Sequence, residues 1–158
     1  MTMRRSGRLS TLVLALLVVL LDQFSKTWIL TTLPVGVTRR WLPGLVDLQL
    51  VFNRGAAFSL FTQAQTLLAL ISATVAVVLV VWVLGQPRLH PAQMAALGLL
   101  LGGTVGNGID RWRMGAVVDF LRLVPFEFPV FNVADVAINL AVVCFIIDLL
   151  SRRQTDAR

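Results

Sequence analysis

The stretch F-N-V-A-D-V-A-I-N-L-A-V-V-C-F-I-I-D-L-L, residues 131–150, is long and apolar enough to cross a bilayer as a helix. A hydrocarbon core of about 30 Å takes roughly 20 helical residues. Asp135 lies near the start of this stretch, where an ionised carboxylate is costly unless it has a partner or a function. The stretch therefore predicts a transmembrane helix that carries a functional acidic group.

The composition of the whole chain also indicates a membrane protein. Of its 158 residues 57% are hydrophobic, and the mean hydropathy is +0.82, which excludes an ordinary soluble globular protein. Three further stretches are apolar and long enough to cross a bilayer, namely 9–31, 64–84 and 92–107. We therefore predict an all-α membrane protein, a single integral domain over residues 1–158 with four transmembrane helices.

The positive charge follows the predicted membrane boundaries. The net charge is +6, but the arginines flank apolar runs and do not form a basic stripe with aromatic residues, which argues against nucleic-acid binding. Seven arginines lie in the two tails and the short 85–91 loop, whereas six lie in the two much longer loops. The positive-inside rule therefore predicts that both termini are cytoplasmic and that the longer loops lie on the outer side.

The two outer loops carry strand patterns. Hydrophobic and polar residues alternate along 46–52, with Leu48, Leu50 and Phe52 on one predicted apolar face. The segment 117–123 is a weaker strand candidate, and prolines after it prevent a long helix. We predict a small β-sheet at the outer membrane surface.

The first predicted span carries two opposite charges. Asp22 and Lys26 are four residues apart, so they share a helix face and can form an ion pair, which lowers the cost of holding either charge in the membrane. The alternative is a Ser-Lys peptidase site, because a desolvated lysine can act as a general base for Ser59 or Ser72. Both interpretations of Lys26 stay open at this point.

The third predicted span carries a row of small residues. Glycines recur every four residues from Gly98 to Gly106, which allows another helix to approach closely. The row continues to Asp110, for which the sequence predicts an ion pair with Arg111 or Arg54 at the helix end. A catalytic role is the alternative for Asp110.

Two aspartates are candidates for catalysis. Asn132, Asp135 and Asn139 fall within about one third of the circumference of the fourth span and predict a polar stripe that faces inward. Asp119 comes from the loop just before that helix, and the prolines between them can turn the chain so that Asp119 meets Asp135.

Two neighbouring carboxylates can share one proton, so that one accepts a proton from water while the other donates to a carbonyl oxygen. This arrangement predicts an aspartic hydrolase. The alternative is a small transporter or channel subunit with an ion relay through Asp22, Lys26 and Asp135.

Other catalytic classes lack their residues. The single histidine, His90, lies in the predicted cytoplasmic loop, which excludes a Ser-His-Asp triad and an H-E-x-x-H zinc site. The run G-G-T-V-G-N-G lacks the Lys-Ser/Thr ending of a phosphate loop, and the single Cys144 has no partner for a disulfide. Asp148 is predicted to be an interfacial charge near Arg152. We expect no cofactor and no metal.

Five motifs in order resemble those of lipoprotein signal peptidase, also called signal peptidase II. They are L-D-Q-F-S-K (21–26), N-R-G-A-A-F (53–58), G-G-T-V-G-N-G-I-D-R (102–111), V-V-D-F (117–120) and F-N-V-A-D (131–135). The resemblance implies an aspartic endopeptidase of the bacterial cytoplasmic membrane, with its active site near the outer face. Such enzymes remove the signal peptide from a prolipoprotein whose cysteine carries a diacylglyceryl group, cutting on the amino side of that cysteine.

The resemblance also implies roles for individual residues. Asp119 and Asp135 match the catalytic pair. The residues that would line or support the site are Asn53, Asn107, Arg111, Asn132, Asp22, Lys26, Gly55 and Asp110. The strand at 46–52 would belong to a small extracytoplasmic β-cradle, with a short interfacial helix near Phe58–Phe61. We expect a monomer whose partners are membrane lipids and the lipid-modified prolipoprotein substrate.

Overall fold

Four helices form most of the computed structural model, which describes residues 2–55, 65–86 and 89–156, with side chains from 7 to 151 within those ranges. The helices are α1 (Thr2–Thr32), α2 (Gln65–Gly85), α3 (Pro91–Met114) and α4 (Val133–Asp156). Each overlaps a predicted helix, although α1 begins seven residues before the predicted 9–31, and α3 and α4 end seven and six residues after the predicted 92–107 and 131–150. Residues 56–64, which include the interfacial helix predicted near Phe58–Phe61, lie outside the described residues.

Within the described part of the chain, three of these helices are long and apolar enough to cross a membrane. The three stretches are Gly7–Thr32, Gln65–Gly85 and Val133–Ser151. Helix α3 has many glycines and three charged residues, Asp110, Arg111 and Arg113, near its end, and it contacts each of the other three helices. A helix enclosed by other helices needs little lipid-facing apolar surface. The membrane crossing of α3 stays a prediction.

The glycines of α3 allow its neighbours to approach closely, as the spacing predicts. A Cβ atom on Gly102 would lie 2.6 Å from Val18 Cβ and 2.8 Å from the carbonyl oxygen of Ala15, both on α1. A Cβ atom on Gly103 would lie 2.6 Å from the carbonyl oxygen of Ala134 on α4. Because no larger residue fits there, glycine sets the distance between α3 and both neighbouring helices.

A three-stranded antiparallel sheet covers one end of the helices. Its strands are β1 (Thr38–Leu42), β2 (Val46–Asn53) and β3 (Val117–Leu123), in the order β1-β2-β3. Strands β2 and β3 confirm the two predicted segments. Strand β1 was not predicted, although the Pro43-Gly44 pair that follows it is a turn signal in the sequence. In the structure Gly44 has a φ of 77°, which glycine adopts readily.

A bulge in β2 changes which residues face the core. Three residue steps from Leu48 to Val51 oppose two steps on β3, so the alternation of faces is interrupted. Leu48 and Leu50 are buried, but Phe52 is 39% exposed. The prediction that Phe52 shares their apolar face was therefore wrong, because alternation holds only in a strand without a bulge.

The buried side of the sheet packs on the end of α1. Leu48 and Leu50 form one apolar cluster with Val118 and Phe120 of β3 and with Ile29 of α1. This cluster holds β3 against the helices. It thereby fixes the position of the next β3 residue after Val118, which is Asp119.

We predict that Gly102→Ala lowers the free energy of unfolding by about 1–3 kcal/mol, because the added methyl group forces α1 and α3 apart. Thermal unfolding in detergent measures the effect. The matched control is Gly85→Ala at the end of α2, where an added Cβ would meet nothing within 4 Å. An unchanged midpoint for Gly102→Ala would show that the helices do not meet at this glycine.

Candidate active site

The two candidate aspartates lie on separate elements and line one cavity. Asp119 is buried in β3, outside the candidate spans, whereas Asp135 is the third residue of α4. Both belong to the wall of a cavity of about 720 Å³. The fold therefore brings together the pair that the sequence pointed to.

Asn132 bridges the two aspartates. Its side-chain Nδ2 donates to Asp119 Oδ1 at 2.6 Å, and its backbone N–H donates to Asp135 Oδ2 at 3.1 Å. In return, Asn132 Oδ1 accepts the backbone N–H of Asp135 at 2.9 Å, which is the reciprocal pattern of a capping box. Asn132 faces inward beside Asp135, as predicted, but it lies just before the helix, because α4 begins at Val133 and Asn132 caps it.

Asn53 holds the other oxygen of Asp119. Its Nδ2 donates to Asp119 Oδ2 at 3.0 Å, while its Oδ1 accepts the backbone N–H of Gly55 at 2.9 Å. A side-chain oxygen that accepts a bond from two residues further on closes an Asx turn. The turn fixes the orientation of the Asn53 amide, so its N–H groups face Asp119.

Asn107 plays the same part for Asp135. Its Nδ2 donates to Asp135 Oδ1 at 2.8 Å. Its Oδ1 accepts from Asn132 Nδ2 and from Lys26 Nζ, each at 3.0 Å. Every oxygen of the two catalytic candidates thus accepts a hydrogen bond from an asparagine side chain or backbone.

Behind this layer lies a buried ion cluster. Lys26 Nζ lies 2.8 Å from Asp22 Oδ2 and 2.9 Å from Asp110 Oδ2. The predicted pairing of Asp22 with Lys26 is confirmed. The prediction that Asp110 pairs with Arg111 or Arg54 was wrong, because α3 continues past Asp110 and turns it towards α1.

The ion cluster also holds the backbone beside each aspartate. Asp22 Oδ1 accepts the N–H of Ala134 at 3.0 Å, and Asp110 Oδ2 accepts the N–H of Val118 at 3.1 Å. Ala134 precedes Asp135, and Val118 precedes Asp119. Residues from α1 and α3 thus fix the chain immediately before both cavity aspartates.

Gln23 belongs to this cluster but received no role from the sequence. Its Nε2 lies within hydrogen-bonding distance of Asp110 Oδ1 at 3.0 Å, and of Asp22 Oδ2 and the Gly106 carbonyl oxygen at 3.2 Å. The only sequence signal is its place beside Asp22 in the L-D-Q-F-S-K motif. An exposed helix face would have suited a glutamine there equally well.

Arg111 and Asn139 lie at the edges of the cavity. Arg111 Nη1 lies 3.4 Å from Ser72 Oγ and from the carbonyl oxygen of Asn107, and its charge acts on both cavity aspartates. Asn139 is exposed and donates to the carbonyl oxygen of Asp135 at 2.9 Å. Arg111 is therefore a cation beside the two carboxylates.

The pKa of Asp119 is unusual for a carboxyl group. Burial raises it from an ordinary 3.8 to about 7, and the negative charge of Asp135 adds to the rise. Hydrogen bonds from Asn53 and Asn132 oppose the rise because they stabilise the carboxylate. Asp119 is thus poised to hold a proton near neutral pH.

The remaining candidates do not converge on a second site. Ser72 Oγ donates to the Leu68 carbonyl oxygen and faces Arg111 rather than Lys26, and Ser59 lies outside the described residues. His90 is exposed before α3, as predicted, with Nδ1 3.4 Å from Asp148 Oδ1. Among the described residues, no group of three or more His, Cys, Asp or Glu side chains could hold a metal ion.

Most of the cavity wall is apolar. Ile71 and Val75 of α2 and Val136 and Val143 of α4 line it, and Phe128 forms part of the wall before α4. The cavity thus joins two carboxylates to an apolar groove between two helices. Such a site suits a substrate that has both a hydrolysable bond and a hydrophobic part.

Comparisons with known proteins identify close relatives of the chain. The family model described as signal peptidase (SPase) II matches residues 14–151. A lipoprotein signal peptidase of Synechococcus sp. is 56% identical over 135 residues, which are 85% of this chain and 89% of that protein. A lipoprotein signal peptidase of Parasynechococcus marenigrum is 51% identical over 140 residues, which are 89% of this chain and 88% of that protein.

Two solved structures of bacterial membrane enzymes have the same fold. One has a TM-score of 0.85 and 30% identity, over 92% of this chain and 90% of its own. The other has a TM-score of 0.80 and 31% identity, over 89% of this chain and 92% of its own. The match to the family model includes every residue that lines or supports the cavity described above, from Asp22 to Val143. The chain therefore belongs to the signal peptidase II family of bacterial membrane proteases.

Proposed function

We propose that this protein is an aspartic endopeptidase that removes the signal peptide from diacylglyceryl-modified prolipoproteins and cuts on the amino side of the lipidated cysteine. One observation carries the aspartic mechanism: Asn132 bridges Asp119 and Asp135 at the wall of one cavity. Membership of the signal peptidase II family supports the substrate class.

The first chemical step uses the different surroundings of the two aspartates. Asp119, buried in β3, holds a proton near neutral pH and is the proton donor, and Asp135, the third residue of α4, is the proposed base. Asp135 takes a proton from a water molecule while the water oxygen bonds to the amide carbon. Asp119 gives its proton to the carbonyl oxygen, and a neutral tetrahedral intermediate results.

The second step breaks the amide bond. Asp135 passes its proton to the amide nitrogen, the carbon–nitrogen bond breaks, and Asp119 takes a proton back as the carbonyl re-forms. The products are the carboxyl group of the signal peptide and the amino group of the lipidated cysteine. Both aspartates return to their starting protonation states, so no covalent intermediate and no metal is needed.

The apolar groove accounts for the lipid on the substrate. Acyl chains between Ile71 and Val75 of α2 and Val143 of α4 would position the scissile amide near the two aspartates. Binding energy from this part of the substrate does not depend on the sequence of the signal peptide. A broad range of prolipoproteins could therefore share the site.

The proposed orientation puts the two aspartates near the outer face of the bacterial cytoplasmic membrane, with both termini in the cytoplasm. The arginine distribution supports it. Arg8 Nε donates to the Gln86 carbonyl oxygen at 2.8 Å, which ties the start of α1 to the end of α2. Helix α3 would then be the remaining crossing, and the protein would act as a monomer.

We predict that cleavage depends on the diacylglyceryl group. Purified protein in liposomes should cut a lipidated precursor and leave the same precursor without lipid intact, because only the lipidated form occupies the groove. Electrophoresis of the two precursors measures this. Cleavage of both at equal rates would exclude the proposed substrate class, and ion flux across the liposomes without cleavage would instead support an ion relay.

We predict that Asp119→Asn and Asp135→Asn each lower cleavage by about 100- to 10,000-fold, because each removes one proton-transfer group. Each asparagine keeps the shape of the aspartate but replaces one accepting oxygen with a donor, so thermal unfolding in detergent must show that each variant is folded at the assay temperature. Asp47→Asn on β2 is the matched control, since Asp47 does not line the cavity. Cleavage at the rate of the unmodified protein by either variant would contradict the mechanism.

We predict that cleavage falls about tenfold per pH unit as the pH rises through about 7, because Asp119 then loses the proton it donates. Asn53→Ala removes a hydrogen bond that stabilises the carboxylate, so the pKa of Asp119 should rise further and the alkaline limb should move upward. About 1 kcal/mol of hydrogen bonding corresponds to about 0.7 pH units.

The measurement is the pH profile of kcat/KM for the two proteins. Gln49→Ala provides the control, because it removes an amide from the same strand without touching the bond between Asn53 and Asp119. A limb that stays in place, or moves to lower pH, in Asn53→Ala would contradict the assignment of Asp119 as the proton donor.

A further inference from the structure

The orientation of the Asn107 side chain decides what Asp135 meets. An asparagine amide has an oxygen that accepts and a nitrogen that donates, and the two ends have almost the same shape. With the nitrogen towards Asp135 it donates a hydrogen bond, as it does at 2.8 Å. With the oxygen there, it would repel the carboxylate. Something must therefore select the first orientation.

Lys26 and Asn132 both donate to Asn107 Oδ1 at 3.0 Å and so favour that orientation, and Lys26 is the charged donor of the two. An ammonium group has three donors and no acceptor, so it can approach Asn107 only through the amide oxygen. The three short contacts of Lys26 Nζ go to Asp22 at 2.8 Å, Asp110 at 2.9 Å and Asn107 Oδ1 at 3.0 Å. Lys26 is 2% exposed, so water does not compete for these donors.

The same logic applies to Asn132. The backbone N–H of Asp135 is also a donor without an acceptor, and it faces Asn132 Oδ1 at 2.9 Å. The amide nitrogen of Asn132 must then point towards Asp119, to which it donates at 2.6 Å. Each amide is thus oriented by a donor at its oxygen: Asn107 by Lys26 and Asn132, and Asn132 by the Asp135 backbone N–H.

We propose that Lys26 is a positioning residue: by donating to Asn107 Oδ1 it turns the amide nitrogen of Asn107 towards Asp135 and so aligns the carboxylate that activates water. The inference rests on the proposed function. Lys26 makes no hydrogen bond to either cavity aspartate; its charge acts on Asp119, and its hydrogen-bond link to Asp135 runs through Asn107. The competing explanation is that Lys26 only neutralises Asp22 and Asp110 and affects activity through folding.

A double-mutant cycle on kcat separates these explanations. Removing Lys26 alone would leave two buried carboxylates without a cation, which is strongly destabilising. The cycle is therefore built in Asp110→Asn, because the asparagine keeps an acceptor for the Val118 N–H and lowers the buried negative charge. Its four proteins are Asp110→Asn itself and the same protein with Lys26→Met, with Asn107→Ala, and with both substitutions.

We expect Lys26→Met to lower kcat about 10- to 100-fold, with KM changed less than about threefold, since alignment of the water-activating group fails while substrate binding persists. Asn107→Ala should lower kcat to a similar extent. Once Asn107 is alanine, Lys26→Met should cost less than about threefold more, because no amide remains to orient. Thermal unfolding identifies a temperature at which all four proteins are folded.

Two independent losses that multiply in the double variant would overturn the inference, as would a change confined to KM. Failure of the proposed function has a different signature, because the unmodified protein would then not cleave the lipidated precursor at all. If the unmodified protein cleaves and Asp135→Asn does not, the cycle tests Lys26 alone.

Discussion

The buried contact of Lys26 with Asp22 and Asp110 is the interaction on which the rest of the structure depends. Each ion would cost several kcal/mol if it were buried alone. The cluster joins α1 to α3, and its carboxylates also bind the N–H groups of Val118 and Ala134. Those residues immediately precede the two cavity aspartates, so the charge pairing that stabilises the helices also places the groups proposed for catalysis.

Much of the architecture follows from short-range patterns in the sequence. Apolar runs of helical length predict the helices, the four-residue spacing of Asp22 and Lys26 predicts their pairing, and glycine spacing predicts the close approach of α3 to its neighbours. The motif N-V-A-D also has the spacing of a capping box, with Asn132 before the helix and Asp135 at its third position. These features depend only on residues close together in the chain.

Other features depend on distant segments and could not be predicted. Helix α3 continues past Asp110, so this residue faces α1 instead of an arginine in the loop, and Asn107 meets Lys26 only because the glycines let the two helices approach. The bulge in β2 depends on its pairing with β3 and changes the face that Phe52 occupies. Local alternation contains no information about either arrangement.

The position of Asp135 within α4 relates the site to the bilayer. Helical rise is about 1.5 Å per residue, so the 19 residues of Val133–Ser151 extend about 28 Å, close to the thickness of a hydrocarbon core. Asp135 is two residues inside one end of that stretch, and the helix cannot stretch to follow a thicker membrane. In the proposed orientation, bilayer thickness would therefore set how deep this carboxylate lies relative to the lipid head groups. Lipid composition would then affect how well the scissile bond of the proposed lipid-anchored substrate aligns with the site.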